Sequence, residues 1–205
     1  MVVAPGALHL ERYLNLDQQR AVAAQCFEVG AGDAGFYTPI VRGGKPMSVQ
    51  MLCLGRHWNA LTYRYEAVRS DIDARPASPL PENFGELART VATAAGFAFR
   101  PDVCIVNWYR AGSRMGLHQD KDESADALAR GVPVVSLSIG DTAHFRFGGL
   151  RRRDPVATIP LHSGDAFVFG GPARLCYHGV ARIVPGTAPA GLGFEGRLNL
   201  TFREY

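Results

Sequence analysis

The spacing of apolar positions changes character near Gly96. Before it, the pattern is helical in two places. Asn15 can cap a helix that carries Gln18 at its third position and runs through Ala21, Val22 and Cys26. After Pro81, residues Phe84, Leu87, Ala88, Val91 and Ala95 recur at helical spacing, and Gly96 stands where that helix would stop. Gly30 to Gly44 is glycine-rich and reads as loop. Arg69 to Pro81, with three prolines and alternating charge, reads as an exposed loop. Beyond Gly96 short strands take over. Val103 to Tyr109 alternates, so Val103, Ile105, Asn107 and Tyr109 share a face. Val134 to Ile139, His144 to Phe147, Ala166 to Phe169 and Arg197 to Arg203 are further strand candidates. Helices ahead of short strands with Gly and Pro turns predict an α+β fold. A jelly roll with helices packed on one sheet satisfies both halves of the pattern.

The 205 residues suffice for one domain with a full core, and 47% are hydrophobic, which excludes a disordered chain. A formal net charge of +3 permits an anionic partner without demanding one. The basic residues are nearly all arginine. That suits bidentate contacts to phosphate or carboxylate, and it is equally what a GC-rich gene produces. Cys26, Cys53, Cys104 and Cys176 form no C-x-x-C pair, so buried thiols in a reducing cytosol are expected rather than disulfides or a zinc site. Met1 to Leu10 lacks the pattern of a secretory signal, and no apolar run is long enough to span a bilayer. The expected location is cytoplasmic.

His118-Gln119-Asp120 puts an imidazole and a carboxylate two positions apart, on one side if the segment is a strand. His178 lies far downstream beside Gly179. Two His and one carboxylate on one face of a metal leave three positions open, the facial triad of non-haem iron(II) oxygenases. Alone, H-x-D is short enough to arise by chance. The other histidines (His9, His57, His144 and His162) lack comparable neighbours and are read as structural. Arg197 to Arg203 alternates strictly, with Arg197, Asn199, Thr201 and Arg203 on one face and Leu198, Leu200 and Phe202 on the other. Two inward arginines are costly if unpaired, whereas a bound dicarboxylate would pair both. The alternative is an outward polar face on an edge strand.

Five segments carry a resemblance. Asn107-Trp108-Tyr109, Met115 to Glu123, Phe147-Gly148-Gly149-Leu150, Tyr177-His178-Gly179 and Arg197 to Arg203, in this order and spacing, resemble the AlkB family of DNA repair dioxygenases, and its bacterial members in particular. The likeness covers the C-terminal half, from Asn107 to Arg203. It implies a single catalytic domain over residues 1–205, with a double-stranded β-helix core at 100–205 and an N-terminal nucleotide-recognition lid at 43–81. It implies Fe(II) held by His118, Asp120 and His178. It implies 2-oxoglutarate held by Asn107, Tyr109, Arg197, Asn199 and Arg203, with O2 as the second co-substrate. Arg197, Tyr109 and Asn199 are placed at the distal carboxylate and Arg203 near the metal-bound end. Substrate contacts are implied for Trp58 and Tyr65, for Asp122, which follows Asp120 by two along the presumed strand, and for Arg152. The bland alternatives are ordinary core or surface aromatics and a solvated three-arginine cluster.

The implied activity is oxidative demethylation of alkylated DNA, with RNA left open. Bases such as 1-methyladenine and 3-methylcytosine are restored, with formaldehyde, succinate and CO2 as products. The expected protein is a monomer that binds single- or double-stranded nucleic acid and no membrane. The chain departs from the family at Trp108, where a polar or basic residue is expected. It departs again at Ser124 to Gly131, which is longer than in the best-known members, and at the Gly- and Ala-rich Pro185 to Gly196. Residues 43–81 match only in fragments. These departures leave the metal and co-substrate residues intact. Two rivals stay open: an oxygenase of a small molecule or protein side chain, and a non-catalytic nucleic-acid-binding module with a relic metal site.

Overall fold

Where each strand can hide its apolar face decides the architecture. The structure, a computed structural model, describes residues 1–205. In chain order it comprises β1 (Val2–Ala4), β2 (Ala7–Leu10), α1 (Leu16–Gly30), β3 (Ile40–Val41), β4 (Lys45–Pro46), β5 (Val49–Leu54), β6 (His57–Asn59), β7 (Arg64–Glu66) and α2 (Glu82–Ala94). There follow β8 (Val103–Tyr109), β9 (Met115–His118), α3 (Ala125–Arg130), β10 (Val134–Gly140), β11 (Thr142–Phe147), β12 (Ala157–Leu161), β13 (Ala166–Phe169), β14 (His178–Val184) and β15 (Arg197–Arg203). The large sheet has the order β1-β2-β13-β10-β15-β8-β5 and the small sheet β12-β11-β14-β9. From β8 to β15 the chain changes sheet at every step except between β11 and β12. No helix is long and apolar enough to cross a membrane.

The large sheet is covered on both faces. On one, Leu52, Leu137 and Leu200 pack against Val22 and Cys26 of α1 and Phe84 and Val91 of α2. On the other, Ile105, Phe167 and Phe169 meet Phe145, Phe147 and Val180 of the small sheet. β15 is therefore not an edge strand. It pairs with β10 on one side and β8 on the other, and all its residues are buried. Its leucines and Phe202 join the helix-side core, while its polar row faces the gap between the sheets.

The helices form as their patterns predict. Gln18 N–H donates to Asn15 Oδ1 and Asn15 N–H to Gln18 Oε1, each at 2.9 Å, a reciprocal cap. Gly96 closes the second helix at φ +82°, which only glycine adopts freely. β5 goes unpredicted because both its faces are buried, so its sequence shows no alternation. β12 carries Pro160, tolerated because this strand is an edge. The four cysteines are free and buried. His9 pairs with Asp165 at 2.8 Å and His57 with Asp71 at 2.6 Å, both structural pairings.

The unusual segments have local explanations. Ser124 to Gly131 is helix α3, whose first turn is capped by Ser124 and whose end is Gly131 in the left-handed region. Trp108 lies on the helix side, with ring centroids 4.9 Å from Phe27 and 5.6 Å from Phe36. Its indole N–H donates to Glu195 O at 3.1 Å, so the Pro185 to Gly196 segment covers it. Within 43–81, β5 belongs to the large sheet, and the β3–β4 and β6–β7 hairpins stand apart from it. The loop read as exposed begins at Arg69, which is buried.

Candidate active site

β9 and β14 are neighbours in the small sheet, and their register sets His118 directly opposite His178. The strands come this close because Gly179 has no side chain. A Cβ there would lie 2.7 Å from the carbonyl oxygens of Met115 and Gly116. The imidazole centroids are 4.5 Å apart. His118 Nδ1 is 2.9 Å from Gly116 O and His178 Nδ1 is 3.0 Å from Cys176 O. Each backbone carbonyl accepts a hydrogen bond from Nδ1–H, which fixes the tautomer and leaves Nε2 as the electron-pair donor.

The sequence places Asp120 on a strand with His118, but β9 ends at His118. Convergence comes instead from two arginines. Arg203 Nη2 and Nε donate to Asp120 Oδ2 at 2.6 and 3.1 Å, and Arg174 Nη1 donates to Asp120 O at 2.5 Å. Asp120 then lies 3.6 Å from His118 Nε2 and 3.8 Å from His178 Nε2. The donor atoms of all three residues fall within 4.8 Å of one another. The same correction applies to Asp122, which also lies beyond the strand. Its Oδ2 accepts from the Trp58 indole N–H at 2.8 Å.

Charge suits the triad to a cation. Burial works against ionisation of Asp120, but Arg203, His178 and His118 outweigh it and hold the carboxyl well below its ordinary range. Burial, then the neighbouring His118, pushes His178 down to about 4, so its Nε2 lone pair is free near neutrality.

Next to the triad, the inner faces of β8, β15 and β10 carry a polar row. Asn199 pairs across from Asn107, and Arg197 from Tyr109. Asn199 Nδ2 donates to Ser136 Oγ at 2.7 Å, while Asn107 Oδ1 has no partner. Arg197 is 1% exposed, lies 5.4 Å from the Tyr109 ring centroid and donates one bond, to Ser138 Oγ at 2.9 Å. Its Nε and Nη1 have no partner. Burial lowers its pKa to about 10, so it stays a cation at neutral pH. A buried guanidinium without a carboxylate is unstable unless an anion meets it. Both the triad and this row therefore fit Fe(II) and 2-oxoglutarate.

Arg203 differs from Arg197 because the chain itself supplies its carboxylates. Besides Asp120 it has Glu123 Oε1 at 3.1 Å, and Arg174 Nη2 lies 2.9 Å from Glu123 Oε2. Arg174 and Glu123 were not among the expected site residues. Nothing in a local motif marks Arg174, and Glu123 follows the triad without a periodic signal. Burial raises the Glu123 pKa, opposed first by Arg203. Arg174→Ala is expected to cost about 3–5 kcal/mol of stability, because it removes one partner of a buried charge pair. Urea unfolding checks this; an unchanged midpoint would mean that the pair contributes nothing.

The triad, Asn107, Tyr109, Asn199, Arg203, Trp58, Tyr65, Asp122 and Arg152 all line one cavity of about 800 Å³. Arg197 is the exception: it does not line the cavity, and its guanidinium lies 5.4 Å from the ring centroid of Tyr109, which does. Arg152 is tethered at the mouth, with Nη1 donating to Leu117 O at 2.9 Å.

With this geometry in place, comparison with known proteins is consistent. Residues 6–203 match the 2OG-Fe(II) oxygenase superfamily. AlkB of Salmonella typhimurium, an alpha-ketoglutarate-dependent dioxygenase, is 41% identical over 98% of this chain and 91% of its own length. The Arabidopsis thaliana DNA N(6)-methyladenine demethylase ALKBH1C is 39% identical over the whole of this chain, which spans 49% of that relative. The solved structure of OsALKBH1 superposes with a TM-score of 0.94 at 38% identity, covering 100% of this chain and 99% of that one. The chain thus belongs to the 2OG-Fe(II) oxygenase superfamily. Within that superfamily it belongs to the AlkB family, and its cofactor set is Fe(II) with 2-oxoglutarate and O2.

Proposed function

We propose that the chain is a dioxygenase that oxidatively demethylates alkylated bases in DNA, with lesions such as 1-methyladenine and 3-methylcytosine as its substrates. The observation that carries this is the Trp58–Asp122 contact: an indole and a carboxylate are joined at 2.8 Å in the same cavity as the triad. An aromatic face and a negative charge together suit a flat, cationic base, and methylation at these ring nitrogens makes the base cationic. Such bases pair poorly and are easily flipped.

In this reading His118, Asp120 and His178 hold the iron. Arg197, Tyr109 and Asn199 grip the distal carboxylate of 2-oxoglutarate, Asn107 donates from its side-chain amide N–H, and Arg203 orients Asp120 and meets the metal-bound end. The bound iron supplies the oxidising chemistry that hydroxylates the N-methyl carbon, with 2-oxoglutarate leaving as succinate and CO2 and the methyl group as formaldehyde. The strand order β8 to β15 is read as a double-stranded β-helix. Residues 43–81, which carry the β6–β7 hairpin, are read as the nucleotide-recognition lid, Tyr65 as its inner wall and Arg152 as a phosphate contact. Free buried cysteines favour a cytoplasmic setting.

Formaldehyde release from strands carrying 1-methyladenine, 3-methylcytosine, ethenoadenine or N6-methyladenine tests the reading. Trp58→Ala is expected to slow all of them roughly five- to a hundredfold through lost stacking, without changing 2-oxoglutarate binding. Asp122→Asn should slow the cationic methyl lesions more than the neutral ethenoadenine and N6-methyladenine. Equal loss on cationic and neutral bases would remove the charge argument. Turnover of N6-methyladenine alone would align the chain with the activity in the name of its Arabidopsis relative.

A further inference from the structure

Tyr63 stands at the cavity mouth in a conformation its side chain does not favour. Its φ is +56°, in the left-handed region that is costly for a bulky residue. The surrounding turn holds it there. Asn59 Oδ1 accepts from Leu61 N–H at 2.9 Å and Thr62 N–H at 3.1 Å, and Tyr63 N–H donates to Asn59 O at 2.9 Å. Asn59 is itself anchored by donating to Glu66 Oε1 at 3.2 Å and Ser70 Oγ at 3.0 Å. The residue so presented is 42% exposed. Its ring meets Trp58 edge-on, with centroids 5.8 Å apart and planes at 69°. Arg42 lies 5.5 Å from the Tyr63 centroid, and its Nε donates to Leu61 O at 2.7 Å. Arg42 thereby ties the β3–β4 turn to the β6–β7 turn, and both residues line the cavity that holds the triad.

We propose that Tyr63 and Arg42 form a second nucleotide subsite, in which Tyr63 stacks on the base next to the one lodged beside Trp58 and Arg42 takes the phosphate between them. This rests on the demethylase reading above. Flipping a base out of the stack leaves its neighbour with one bare face. An exposed aromatic ring replaces that lost stacking without regard to sequence, and the guanidinium over it adds a cation–π contribution. The near-perpendicular Trp58 and Tyr63 rings match a strand that bends where one base leaves the stack. Strain at Tyr63, held by a fully bonded turn, is explained if the ring must point at a ligand rather than fold back onto the protein.

The experiment uses single-stranded oligonucleotides with a central 1-methyladenine whose flanking nucleotides either carry bases or are abasic. The ratio of kcat/KM between the two strands is read from formaldehyde release. Wild type is expected to favour base-bearing flanks roughly five- to a hundredfold. Tyr63→Asn keeps a side chain that tolerates the left-handed backbone and should bring the ratio close to unity, while Tyr63→Phe should preserve it. A merely damaged lid slows both strands alike. A ratio near unity in wild type, or one unchanged in Tyr63→Asn, overturns the subsite and leaves the demethylase reading standing. No formaldehyde from either strand with wild type overturns that reading and the subsite with it.

Discussion

His118→Ala is expected to abolish 2-oxoglutarate turnover while leaving the fold in place. His118 is the cleanest of the three triad positions because its side chain is 37% exposed, so its removal empties little of the core. His178 is different. It is buried among aromatic rings, with Phe169 at 4.8 Å between centroids, and its loss would disturb packing as well as ligation. Asp120→Ala would strip Arg203 of its 2.6 Å partner, so loss of activity there mixes ligation with an unbalanced buried charge. In the proposed site three protein ligands leave no redundancy for the metal. Succinate production should fall to background at saturating iron, and the weak visible absorbance that anaerobic iron(II) and 2-oxoglutarate develop together should vanish. The thermal midpoint should remain close to that of the wild type. Near-normal succinate production in His118→Ala would sink the triad assignment.

Arg197→Met should move affinity and stability in opposite directions. The arginine is fully buried and donates a single hydrogen bond, to Ser138, within the chain. A buried charge without a counter-ion costs stability, and a hydrophobic side chain of similar volume removes that cost. The same charge is what a carboxylate of the co-substrate would meet. Its loss should raise the KM for 2-oxoglutarate roughly ten- to a hundredfold, equivalent to about 1.5–3 kcal/mol. Melting without 2-oxoglutarate should therefore occur at or above the wild-type temperature. The stabilisation that added 2-oxoglutarate gives the wild type should largely disappear. A variant that melts lower and keeps its KM would make Arg197 a structural residue. Arg203 is not predicted to behave this way, because Asp120 and Glu123 already balance it.

Much of the molecule was legible along the chain. The reciprocal cap at Asn15 and Gln18, the helix that ends at Gly96 and the strands Val103–Tyr109 and Arg197–Arg203 fall where periodicity and capping put them. These are local properties: a cap needs residues three apart, and a half-polar strand shows its face by alternation. β5 escaped because a strand buried on both faces carries no period. The residues singled out as ligands meet in one cavity, save Arg197, which does not line it.

The sequence by itself determined which side chains are available, the imidazoles and the carboxylate among them, and that the alternating row from Arg197 to Arg203 shares a face. Only the tertiary structure decided how they meet. Strand pairing set His118 opposite His178 across Gly179. Arg174 and Arg203 pulled Asp120 into place where strand geometry had ended. Of two arginines that look equivalent on one strand, Arg203 is neutralised by the chain and Arg197 is left without a carboxylate partner. The physical reason is range. Periodicity and capping act within a few residues and are written locally, whereas ion pairing depends on which distant groups the sheets bring within reach.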